Sequence, residues 1–167
     1  MDTADARLIA QVSHALQRDR FGRRVIEHVE RVASAVPPGA RTTAFLHDAL
    51  ESGNVSLAEL RQAGLTAVEL AAVQLLTRAS TESYEAHVLR VAHAHGPEGS
   101  LARCVKLADV DDHLAHRGGP PETPPYGWAR RHIAAARERY DGASDSTPVS
   151  PVGPRLTTNA PVAVAAT

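Results

Sequence analysis

The segment that most limits the folds open to this chain is Ala44-Phe45-Leu46-His47-Asp48-Ala49-Leu50-Glu51. It is an apolar run broken by adjacent histidine and aspartate, with a carboxylate one turn further on. So apolar a run belongs in the interior, where an unpaired charge is costly. A partner common to both side chains resolves the conflict, and a divalent cation is the simplest one. On a helix His47 and Glu51 stand four apart and Asp48 and Glu51 three apart, which puts all three on one side. The plain alternative is a His-Asp dipeptide at a surface edge, satisfied by water; a two-residue motif does not decide between them.

The surroundings of this segment read as helix. Aromatic residues make up only 4% of the 167, and alanine is abundant, which favours packed helices over strands. Apolar periodicity and start-stop signals predict helices over 5–19, 24–36, 41–51, 57–63, 67–78, 83–95, 101–117 and 126–140. In the first, Leu8, Ile9, Val12, Ala15 and Leu16 are expected to face the core and His14 to face solvent. Ser56–Glu59 and Thr66–Glu69 are capping boxes, so those two glutamates are assigned no chemistry. Gly96-Pro97 is expected to end one helix and Ser100 to cap the next. A Gly-Pro loop follows at Gly118-Gly119-Pro120-Pro121. The expected architecture is all-α: a compact multi-helix bundle forming one domain over 1–140. Residues 141–167 lack periodicity and bulky core residues and are expected to be a disordered tail.

Charge and cysteine content exclude several classes of function. With 18 basic and 19 acidic residues the net charge is -1, which gives no electrostatic case for nucleic acid or an acidic membrane. The single cysteine excludes an internal disulfide and a cysteine zinc site, and Cys104 reads as a small core residue. No leader or membrane-spanning stretch is recognisable, so a cytoplasmic protein is expected. Oligomeric state is open. Nine histidines exceed what packing needs.

Three of the expected helices carry the candidate ligands. His28 adjoins the Val25, Val29, Val32 and Val36 face of the second. His47 and Asp48 lie in the third. Asp109 extends the packed stripe Leu101, Cys104, Val105, Ala108, after which Asp112, His113 and His116 recur on the same face. Asp111, Asp112 and His116 are equally explained by a helix leaving the core for solvent, and His93 and His95 by a solvated helix end. The cluster Arg18-Asp19-Arg20-Phe21-Gly22-Arg23-Arg24 is either a solvated helix end or a rim facing phosphate. Four nitrogen and oxygen ligands from three helices can enclose one ion, and imidazole with carboxylate suits manganese, iron, zinc or magnesium better than soft metals.

The order His28, His47-Asp48, Asp109 resembles the HD-domain metal-dependent phosphohydrolases. The local wording, Ala44 to Glu51 followed by Val105-Lys106-Leu107-Ala108-Asp109, is similar to the hydrolase domain of RelA/SpoT enzymes and small alarmone hydrolases. There the two segments run roughly "ALLHDVVED" and "VKLADRLHN". The resemblance spans about residues 5–140. It implies that His28, His47, Asp48 and Asp109 bind a divalent metal, Mn²⁺ foremost with Fe, Zn or Mg as alternatives. It implies that Glu51 acts on the attacking water, and that Arg23, Arg24 and Tyr84 face substrate; Lys106, with the arginine cluster, either offsets substrate charge or snorkels, and His113 is a further substrate-binding candidate. The family's Glu-Asp pair is Glu51-Ser52 here, and the asparagine four residues after the last ligand is His113. The basic, glycine-containing segment before the first histidine is shortened to Phe21–His28, and the proline that follows that histidine is Val29.

The implied activity is metal-assisted hydrolysis of a nucleotide phosphate or pyrophosphate ester, most nearly a guanosine 3′,5′-bis(diphosphate) 3′-pyrophosphohydrolase-like reaction. Loss of the acidic partner at Ser52 leaves a second expectation open, a catalytically weak module that binds metal and nucleotide as a sensor. A helical interaction domain with chance histidines is the third.

Overall fold

The computed structural model describes residues 1–116 and 125–142. They are helical with no strand among them; the sole extended contact is a backbone bridge between Arg18 and Arg24. In chain order the helices are α1 (Thr3–Ser13), α2 (Val25–Ala35), α3 (Arg41–Leu46), α4 (Leu57–Gln62), α5 (Ala67–Leu76), α6 (Tyr84–Ala92), α7 (Gly96–His116) and α8 (Tyr126–Tyr140). A 3₁₀ turn, Pro38–Ala40, leads into α3. No helix among the described residues is long and apolar enough to cross a membrane.

Local signals place most of these boundaries. Ser56 and Thr66 close capping boxes with Glu59 and Glu69, so α4 and α5 start where those side chains satisfy the first free amides. Ser83 caps α6. At 21 residues α7 is the axial element, packing on α8, α5, α2 and α6. Val29, Val32, Leu46, Val73, Val88, Val91, Val105, Val110 and Ile133 are fully buried around it.

Four expectations are corrected. α1 stops at Ser13 and buries Ala6 and Ala10, while Leu8, Val12 and Leu16 are exposed. Small residues let α1 lie close against α3, its main neighbour. His14, expected in solvent, is buried beyond the helix end with Nδ1 on Gln17. α7 begins at Gly96, five residues before the expected start, and runs through the Gly-Pro pair; proline costs nothing in a first turn, where no amide bond is lost. α3 ends at Leu46, and residues 47–53 form turns. There His47 Nδ1 donates to Ala44 O and Ser52 Oγ to Ala49 O, so side chains take carbonyls that a continuing helix would use.

Asp141, assigned to the tail, belongs to the ordered body. The guanidinium of Arg103, 1% exposed, pairs with its carboxylate, donates to the carbonyls of Ala92 and Ala94 and lies over the Tyr140 ring. One buried arginine therefore ties the end of α8 to the α6–α7 junction. The Gly118–Pro121 loop and the tail from 143 lie outside the described residues.

Candidate metal centre

α2 delivers His28, the turn after α3 delivers His47 and Asp48, and α7 delivers Asp109 and His113. Two groups with the proximity of metal ligands result: His28, His47 and Asp48, and His28, Asp109 and His113. His28 Nε2 lies 3.2 Å from Asp109 Oδ1, and His47 Nε2 lies 4.0 Å from that oxygen and 3.4 Å from Asp48 Oδ2. Both Nε2 atoms are buried and neither makes a hydrogen bond.

The two nitrogens and the two carboxylates therefore lie close enough to one another to be compared with the spacing of ligands on an ion. With ligand bonds of about 2.1 Å, neighbouring ligand atoms on one ion stand about 3.0–3.4 Å apart and opposite ones about 4.2 Å. The three separations fall in that range, so each of the two groups, which share His28, could hold a divalent ion.

The imidazoles are oriented from behind. His47 Nδ1 is 2.7 Å from Ala44 O; a carbonyl only accepts, so Nδ1 carries the proton and Nε2 presents its lone pair. His28 Nδ1 is 2.7 Å from Asp112 Oδ2, and Asp112 is gripped by Arg31 at 2.7 and 3.0 Å. A carboxylate behind a ligating imidazole is the usual supporting contact in metal sites. Burial opposes a charged His28, but the carboxylates of Asp109 and Asp112 outweigh it and push the imidazole up to about 10 in the metal-free protein.

Asp109 is 4% exposed. Burial opposes its ionisation; Lys106 foremost, with Nζ 2.8 Å from Oδ2, holds the carboxyl well below the ordinary range. The same pairing overrides the burial of Lys106 and keeps its amine charged.

Beside the cluster opens a cavity of about 370 Å³, within the range of small-molecule sites. His28, Asp48, Asp112, His113 and Tyr126 line its inner side, and Arg20, Phe21, Arg23, Arg24 and Arg31 line its rim. The arginine segment is a tight turn. Asp19 accepts from the amides of Phe21 and Arg23 and from the Arg23 side chain, and Gly22 takes φ +80 between them. Gly tolerates that conformation without strain.

Five of the sequence-derived residues thus converge: His28, His47, Asp48, Asp109 and His113. Lys106 stands behind Asp109. Arg23 and Arg24 line the cavity; Arg23 is paired with Asp19, whereas the Arg24 side chain has no hydrogen-bond or ion-pair partner among the described residues.

Tyr84 does not line the cavity. Its ring faces Lys106 and Tyr126, with the hydroxyl buried and unpaired. Glu51 is not brought to the cluster either. Because α3 stops short, its carboxylate swings out and accepts from the Arg78 amide at 2.7 Å. Asp112 and Arg31 had no assigned role in the sequence; the recurrence of Asp112 on the Asp109 face was the available signal. No family model matches the sequence, and no curated protein matches it.

Proposed function

We propose that this chain is an HD-type metal-dependent phosphohydrolase acting on a nucleotide phosphate or pyrophosphate ester. The observation that carries the proposal is the convergence of His28, His47, Asp48 and Asp109, with two buried imidazole nitrogens left without hydrogen bonds, beside an arginine-rimmed cavity. A divalent ion there supplies Lewis acidity, making a water more acidic and polarising a phosphoryl oxygen. The protein's own residues do the rest. Lys106 keeps Asp109 anionic, Asp112 and Ala44 fix the imidazoles, and Arg24 offers its guanidinium to a phosphate.

The finer reading, resting on the resemblance, is a guanosine 3′,5′-bis(diphosphate) 3′-pyrophosphohydrolase-like activity with Mn²⁺ as the ion. A second reading, the metal- and nucleotide-binding sensor, is favoured by the engagement of Glu51 at the Arg78 amide and of Ser52 at Ala49 O. A Mn²⁺-supplemented assay with (p)ppGpp and ordinary nucleotides, beside Asp48→Ala, tests both. Pyrophosphate release abolished in the variant supports the hydrolase. Release only from another nucleotide replaces the alarmone, and stoichiometric metal binding without turnover favours the sensor.

A further inference from the structure

His113, a substrate-binding candidate from the sequence, does line the cavity, but its ring nitrogen is directed at Asp109. Its Nε2 lies 3.2 Å from Asp109 Oδ1, the oxygen that His28 Nε2 and His47 Nε2 also approach. Three imidazole nitrogens from three elements therefore surround one carboxylate oxygen. The His113–Asp109 separation is that of neighbouring ligands on one ion, by the measure that admits His28.

The ring is also held in place. It packs between the His28 ring, centroids 4.5 Å apart, and the Tyr126 ring, stacked at 4.5 Å and 10°. Asp109 and His113 are four apart on α7, so one rigid helix presents both toward the same point.

We infer that His113 is a further protein ligand of the ion, grouped with His28 and Asp109, rather than a substrate contact alone. The inference rests on the proposed metal site and deepens it. The two groups that meet at His28 then offer three imidazoles between them. Three nitrogens also move the preference away from magnesium toward iron, cobalt or zinc.

The test is a Co²⁺ titration of the full chain followed by visible absorption, comparing wild type, His113→Asn and His47→Ala. Wild type is expected to bind one Co²⁺. His113→Asn should bind at least about tenfold more weakly, with a changed absorption band, since even residues that only support a ligand carry effects of that size. X-ray absorption on the Zn²⁺-loaded wild type should count three imidazoles.

Tight Co²⁺ binding that His47→Ala abolishes, with His113→Asn unchanged and two imidazoles counted, overturns the role of His113 and leaves the metal site standing. Absence of Co²⁺ binding by wild type overturns both. Should His113→Asn lose its helical circular dichroism, the imidazole count in wild type decides alone: three supports the assignment and two refutes it.

Discussion

Asp112→Ala is the perturbation that separates a built metal site from a chance cluster of ionisable groups. Asp112 touches no proposed ion. Its carboxylate holds His28 Nδ1 at 2.7 Å and Arg31 Nε at 2.7 Å, with a further contact to Arg31 Nη2 at 3.0 Å. Each hydrogen bond to a charged group contributes about 1.5–3 kcal/mol. The Arg31 side is discounted for solvent screening, since that side chain is 38% exposed. Unfolding in urea with a chelator present should therefore show a loss of roughly 2–3 kcal/mol. Metal binding should fall by about 10–100-fold, because the His28 ring is no longer oriented toward the ion. Calorimetric titration with Mn²⁺ reads this second quantity. Arg31→Ala is the companion variant: it removes the grip on Asp112 but leaves the His28 contact, so it should weaken metal binding less than Asp112→Ala. Unchanged affinity in Asp112→Ala, or equal losses in the two variants, would refute the claim that Asp112 acts through His28.

Two further outcomes follow from groups outside the centre. Arg103→Leu should cost about 3–5 kcal/mol, since it leaves Asp141 and the carbonyls of Ala92 and Ala94 without their donor; a loss below about 1 kcal/mol in urea unfolding would show that Asp141 is not tied in. Stability should also decline in acid. Burial foremost, then the nearby charges of Lys106 and Arg90, pulls His87 down to about 4 from the ordinary 6.5. The folded state prefers it neutral, so its contribution is complete above pH 6.5 and is lost as pH falls toward 4. Hydrogen bonds from Arg90 hold Glu82 at about 2, so a further loss begins as pH falls below its ordinary 4.5. His87→Asn should flatten the urea midpoint across the upper window and leave the lower one in place; an unchanged slope between pH 6.5 and 4 would disprove the role of His87.

Local chemistry in the sequence was enough to determine the helical class, the capped starts of α4, α5 and α6, and the span of α8. Side-chain caps and 3.6-residue periodicity act within a few residues, so they are legible without knowing the fold. The same holds for Asp109 and His113, four apart on one helix, whose shared face is a property of the helix itself. Other features depended on contacts between distant segments. Whether α1 buries Leu8 and Val12 or its alanines is settled by how closely α3 approaches. Whether Glu51 joins His47 and Asp48 depends on carbonyl-seeking side chains that end α3, and on an amide 27 residues away that captures the carboxylate. The support of His28 by Asp112, 84 residues on, arises only where α2 meets α7. Periodicity names the face of a helix; only packing decides what that face meets.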